Sequence, residues 1–291
     1  MDVPYVSQSP SLSRPQTFDH VVIVGVGLIG GSIAKALRKR GLAHRITGLG
    51  RNAERLAAAQ SAGVLDAWTT SAQDLPPYSL AVVCTPVDRI AADVRALATC
   101  ASATALFTDA GSVKGPLCRT LADIPRFIGS HPMAGSEHGG WEFARTDLFE
   151  GRNCAITPCH SSNQDIAVIE TFWQSIGMQT LRFSAEEHDR LVATTSHLPH
   201  LVAAALAAQL TPEGWPLAAT GFRDTTRIAS GNPGLWTAIL RENRVAVTSQ
   251  IHSIIGQLQQ FELALQGDQA DKLQAILNQG KEARDAWLPP T

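Results

Sequence analysis

No apolar run in the sequence approaches the roughly eighteen residues that a membrane span needs. Charge is also scarce: Lys, Arg, Asp and Glu make up 17% of the residues and leave a formal net charge of -2. The chain therefore has no basic field to attract nucleic acid or an anionic membrane surface, and no acidic tail. Cysteine is sparse and unpatterned. Cys84, Cys100, Cys118, Cys154 and Cys159 form neither a CxxC pair nor the even set of a secreted disulfide framework. That pattern predicts reduced thiols and a cytoplasmic protein, and no metal site is suggested. The opening MDVPYVSQSPSLSRPQTFD carries Ser, Pro and Gln where a signal peptide has its apolar core, so residues 1–17 are expected to form a mobile tail.

What the 291 residues do contain is enough length for two domains or one large one, each with a proper core. HVVIVGVG, residues 20–27, is a continuous β-branched run that leads directly into the helical LIGGSIAKALRKRG. Strand, glycine turn and helix in that order form a dinucleotide-binding unit of the Rossmann type. Gly25, Gly27 and Gly30 fit GxGxxG: the first makes the tight turn, the second clears room for a pyrophosphate, and the third lets helix and strand pack closely. Backbone N–H groups from Leu28 and Ile29 onward would then hold the phosphates. The second strand, RITGLG, ends where NAD enzymes usually carry an acid for the ribose 2′-hydroxyl, and here Gly50 and then Arg51 stand instead. Arg51 either pairs with the 2′-phosphate of NADP or merely stacks on adenine or faces solvent; the expected cofactor is NAD(P), leaning to NADP.

Alternation continues with LAVVCTP and ALFTDAG as strands and DRIAADVRALATCA and SVKGPLCRTLADI as helices. NCAITPC and MQTLRFS add two strands around a further helix. This βα rhythm predicts a doubly wound, mainly parallel sheet spanning residues 18–183. Ligands of such sheets sit beyond the carboxyl ends of the strands, so Thr85, Pro86, Asp109, Ser112 and His131 should share one edge. Asp109 has an alternative as a helix N-terminal charge, Ser112 as a helix cap, and Lys114 as a solvated lysine. FIGSHPMAGSEHGG, residues 127–140, delivers His131 at a strand exit into a glycine-rich loop, the setting of a general base.

From Ser184 strand-like runs stop, and an all-helical domain is expected over residues 184–291. Ser184 and Glu187 form a capping box that opens a helix in which His188, Ser196 and His200 share one stripe. Pro199 removes the amide partner of the Thr195 carbonyl, so a kink is expected there. Arg223 and Arg227 lie four apart, with Asp224 as internal counter-ion and Phe222, Ile228 and Trp236 nearby. That cluster is either a solvated salt-bridged face or a carboxylate-binding one. IHSIIGQLQQFELAL, residues 251–265, is amphipathic with surplus apolar positions, for packing within the domain or across a dimer.

GVGLIGGS, DAGSVKG, HPMAGSE, EHD with SHLPH, and FRDTTRIA followed by Trp236 occur in this order. With them the chain resembles the prephenate/arogenate (cyclohexadienyl) dehydrogenase family of tyrosine biosynthesis, over nearly everything after the tail. The resemblance implies NAD(P)-dependent oxidative decarboxylation of prephenate to 4-hydroxyphenylpyruvate and CO2, or of arogenate to tyrosine, in a homodimer formed through the helical domain. It also implies that His131 accepts the ring hydroxyl proton, with Ser112 orienting its imidazole, and that Arg227 pairs with the ring carboxylate. His200 and Ser196 would face the side-chain end of the substrate; Glu137, Arg223, Asp224 and Trp236 would wall it, Trp236 from a partner subunit. The sequence ends soon after its last helix, so no fused chorismate mutase or regulatory domain is expected. Two rival readings share the layout: a β-hydroxyacid dehydrogenase, which generally uses a lysine where SHLPH offers histidine, and a non-catalytic NAD(P)-binding sensor, in which His131, Ser112 and Arg227 have no task.

Overall fold

The computed structural model describes residues 17–135 and 139–287. The N-terminal tail before Thr17 and Glu137 lie outside the described residues. Eight strands form one sheet in the order β3-β2-β1-β4-β5-β6-β7-β8. They are β1 (Phe18–Val24), β2 (Ala43–Leu49), β3 (Ala67–Thr69), β4 (Leu80–Val83), β5 (Leu106–Asp109), β6 (Phe127–Pro132), β7 (Asn153–Thr157) and β8 (Gln179–Arg182). Every pair is parallel except β6 with β7, where the sheet reverses. This is the doubly wound, mainly parallel sheet that the βα rhythm predicts.

The continuous apolar runs follow from burial on both faces. Val21 and Ile23 of β1 enter one core and Val22 and Val24 the other, and β4 divides in the same way. The first core is covered by α1 (Leu28–Lys39) and α5 (Asn163–Ser175), with Ile33, Leu37, Phe172 and Trp173 fully buried. The second lies under α3 (Ile90–Ala98) and α4 (Gly115–Thr120). Each such aliphatic or aromatic side chain contributes about 1.5–3 kcal/mol on leaving water, so the two layers fix the sheet and its carboxyl edge.

The thiol expectation needs one correction. Cys118 of α4 and Cys159, just after β7, are joined in a disulfide with their Cα atoms 5.4 Å apart. They are 41 residues apart in sequence, and it is the β6–β7 pairing that brings them together. Cys84, Cys100 and Cys154 are free.

After β8 the chain is helical: α6 (Ala185–Val192), a π-helical turn (Ala193–His197), α7 (Leu198–Ala207), α8 (Thr220–Thr226), α9 (Pro233–Glu242), α10 (Arg244–Gln266) and α11 (Ala270–Ala286). The Ser184 hydroxyl caps α6 by accepting the Glu187 N–H at 3.1 Å. The irregularity expected at Pro199 takes the form of the π turn, which widens the helix over the residues that lose an amide partner. The helix expected over 251–265 is longer, and Leu258, Leu263 and Leu265 on it are exposed in the single chain. Among the described residues no helix is long and apolar enough to cross a membrane.

Candidate active site

The glycine turn between β1 and α1 is shaped by three different demands. Gly25 has φ +85°, and a Cβ there would fall 2.9 Å from the Cys84 carbonyl carbon. At Gly30 a Cβ would meet the Gly25 carbonyl oxygen at 2.4 Å, so only glycine lets helix and strand close. Gly27 faces open space, with nothing within 4 Å of a built Cβ. It is also the N-cap of α1, whose start carries neither a side-chain cap nor an acid in its first turn. Uncapped N–H groups beside open space suit a pyrophosphate, so these residues fit a dinucleotide.

A cleft of about 970 Å³ runs from this turn along Gly50, Arg51, Thr85 and Pro86. It continues into a second of about 500 Å³ bounded by Leu28, Ile29, Ser112, His131, Leu235 and Ile239. The two share Gly27, Cys84, Thr85 and Pro86. Arg55 and Arg89 also border the larger cleft, but Glu142 and Asp93 serve them as counter-ions. Arg51 is exposed and has no such partner among the described residues.

His131 sits near the end of β6, paired across the sheet with Ala155 and almost wholly buried. Its Nδ1 lies 2.9 Å from Nε2 of His188, whose Nδ1 is in turn 2.8 Å from Oδ1 of Asp189. The Asp189 carboxylate accepts the N–H groups of Lys114 at 2.8 Å and Gly115 at 2.7 Å. A Cβ at Gly115 would stand 2.9 Å from Asp189 Oδ2, so a glycine is what lets the carboxylate reach the backbone. Asn243, at the head of α10, donates to the Asp189 carbonyl at 2.8 Å and lies 3.1 Å from Nδ1 of His197.

Below His131 lies a buried ion pair. Lys114 and Asp109 are both fully buried and in contact; Lys114 Nζ donates to the Ser130 carbonyl at 2.8 Å, and Asp109 accepts the Ser130 N–H at 3.0 Å and the Gly111 N–H at 2.8 Å. Burial first, then the closeness of His188, Lys114 and His197, which disfavours a further positive charge, holds the His131 imidazole well below the usual histidine pKa. It is therefore neutral near pH 7, the form in which an imidazole accepts a proton. Burial also lowers His197, to about 4, and His200.

Several expected site residues are found in different surroundings from those expected. Ser112 lines the cleft with His131, yet the hydrogen-bond partner of His131 Nδ1 is His188 and not Ser112. Asp109, read as a cofactor residue, is spent on Lys114 and two backbone amides beneath the cleft and does not line it. Lys114 is its buried partner, which rules out the solvated alternative. His200 stacks on Trp236, ring centroids 3.6 Å apart at 11°, against Gly231. Ser196 is half-buried in the π turn. Asp224 is the counter-ion of Arg223, at 3.0 Å, and Arg227 stands exposed at the next turn. His188, Asp189, Asn243 and His197 are the polar residues that sequence reasoning did not single out as site residues. His188 was visible on its helical stripe, and EHD and SHLPH contain three of the four; nothing local marks Asn243.

A family profile described as "Prephenate dehydrogenase, nucleotide-binding domain" matches residues 33–181, and one described as "Prephenate dehydrogenase, dimerization domain" matches residues 184–279. Prephenate dehydrogenase of Bacillus subtilis is 31% identical over 93% of this chain and 76% of the relative. Cyclohexadienyl dehydrogenase of Zymomonas mobilis is 31% identical over 92% of this chain and 95% of its own. The crystal structure of prephenate dehydrogenase from A. aeolicus, in complex with hydroxyphenyl propionate and NAD+, superimposes with a TM-score of 0.86 at 33% identity, covering 94% of this chain and 99% of that one. The chain belongs to the prephenate dehydrogenase family.

Proposed function

We propose that this dehydrogenase oxidises and decarboxylates a cyclohexadienyl dicarboxylate, prephenate or arogenate, with NADP preferred over NAD. The observation that carries the reading is His131, a buried neutral imidazole on the cleft that continues from the glycine turn. Bound there, a nicotinamide would accept the hydride from the ring carbinol carbon. His131 removes the proton of the ring hydroxyl as the C–H bond breaks, and loss of the ring carboxylate as CO2 leaves an aromatic phenol. Ser112, on the same cleft, offers its hydroxyl to the reacting oxygen.

Binding of the substrate carboxylates falls to the helical residues 184–291. Arg227 pairs with the ring carboxylate, and a guanidinium suits that task because its fork matches a carboxylate's two oxygens. His200, held flat on Trp236, and Ser196 face the side-chain end, and Arg223 completes the wall. Arg227 does not border the His131 cleft in the single chain, which supports a closed or dimeric active form, with the exposed leucines of α10 buried between two copies. Arg51, which has no counter-ion among the described residues, follows Gly50 at the strand end and supports the choice of NADP, since a 2′-phosphate meets a cation at that position.

The test is absorbance of the reduced nicotinamide on mixing protein, NADP or NAD, and prephenate or arogenate. Turnover with NADP and at least one of the two substrates is expected. Silence in all four combinations refutes the reading, and turnover with NAD alone refutes the cofactor choice.

A further inference from the structure

We infer that His188 is a positioning residue that fixes the tautomer of His131, and that Asp189, seated on the first amides of α4, fixes His188 in turn. The inference rests on the reading of His131 as the base and assigns what makes it one.

The chain of hydrogen bonds runs one way only. Backbone N–H groups of Lys114 and Gly115 can do nothing but donate, so Asp189 receives them as an ionised, acceptor-only carboxylate. Its Oδ1, 2.8 Å from His188 Nδ1, therefore requires a proton on that nitrogen. In a neutral imidazole the other nitrogen is then an acceptor. His188 Nε2 is 2.9 Å from His131 Nδ1, so His131 must donate from Nδ1. The lone pair of His131 is left on Nε2, the nitrogen that has no partner in this network. A second proton on His188 would turn the link around: Nε2–H would donate to His131 Nδ1, and the proton on His131 would move to Nε2, where it blocks the base.

The Asp189 charge has partners besides His188. Two backbone amides share its carboxylate, and Asn243 holds its carbonyl. Lys114, the nearby fixed cation, already has Asp109 against it, and His197 and Cys154 are the remaining titratable neighbours of the pair. Burial lowers His197 and raises the Cys154 thiol, so both stay uncharged. The His131 and His188 rings meet edge-on, 74° apart with centroids at 5.1 Å, which also fixes the plane of the base. When the substrate O–H bond breaks and an N–H bond forms at His131 Nε2, the new positive charge lies one imidazole away from Asp189. No further proton has to move.

Long-range 1H–15N correlation of the histidine rings reads the tautomer directly, with the His131 signals identified by their loss in His131→Asn. A protonated Nδ1 and a bare Nε2 on His131 are expected in the wild type. The reverse tautomer overturns the inference whether or not any substrate is turned over, so its failure and that of the functional reading are separable. Kinetics give the second test. His188→Leu is expected to lower kcat about 100-fold with KM within about threefold, because His188 acts through His131 and not on the substrate. His188→Gln, whose Oε1 can accept from His131 Nδ1, is expected to recover at least about tenfold of that loss. Wild-type kcat in a folded His188→Leu protein refutes the role. Should that variant fail to fold, the wild-type tautomer and the Gln variant still decide: a kcat in His188→Gln no better than about 1% of wild type also counts against it.

Discussion

Replacing Lys114 with methionine strikes the buried floor under His131. The wild-type ammonium is fully buried, in contact with the equally buried Asp109, and donates at 2.8 Å to the carbonyl of Ser130, the residue before the proposed base. Methionine keeps most of the volume but leaves a buried carboxylate with only the Gly111 and Ser130 amides and an orphaned carbonyl. Removing one partner of a buried ion pair costs about 3–5 kcal/mol, and an unpaired buried carbonyl adds about 1 more. At roughly 2–4 °C per kcal/mol for a protein of this size, the melting transition followed by circular dichroism should fall by about 10 °C or more. Adding Asp109→Asn removes the unbalanced charge, so the double variant should melt above Lys114→Met. A Lys114→Met protein that melts within about 2 °C of wild type would show that the lysine is solvated and the ion pair carries no weight.

Three further outcomes follow from the same geometry. The active form of His131 is neutral and its pKa is depressed, so activity persists below the ordinary value of 6.5 and is lost only as pH falls through the lowered pKa; an acid limb of kcat/KM centred at or above 6.5 contradicts this. At Gly50 a built Cβ meets nothing nearer than Leu56 Cδ1 at 3.6 Å, so Gly50→Asp is accommodated and should cut the NADP-to-NAD ratio of kcat/KM by about tenfold or more; an unchanged ratio rules out 2′-phosphate recognition at this strand end. Arg227→Ala should raise KM about tenfold or more with kcat within about threefold, and a loss confined to kcat would move Arg227 out of ground-state carboxylate binding.

The parts of this structure legible in the sequence are those set by short-range rules. The run from His20 to Val24, the three glycines with unlike duties, and the βα alternation each depend on neighbours within a few residues, and they yield the doubly wound sheet and its ligand edge. His131 at a strand exit belongs to the same class. The floor and wall of the site were not legible because they are joined by sheet order. Lys114 is five residues from Asp109, and the sequence leaves a solvated side chain open as an alternative; only the packing of α4 over β5 and β6 encloses it. Asp189 meets Lys114 and Gly115 across some 75 residues, and Asn243 meets Asp189 across 54. Cys118 finds Cys159 only once β7 reverses beside β6. His188 was the intermediate case: its place on a polar stripe was visible, but its hydrogen bond to His131, in the position expected of Ser112, was not.

The most direct measurement is the rate of NADP reduction by wild type and His131→Asn with prephenate and with arogenate, alongside substrate binding to each protein. Turnover by the wild type with at least one substrate, and a fall of about 100-fold or more in kcat for His131→Asn with binding retained, is the predicted result. A His131→Asn enzyme that keeps the wild-type kcat, or a wild type that reduces neither NADP nor NAD with either substrate, contradicts the account.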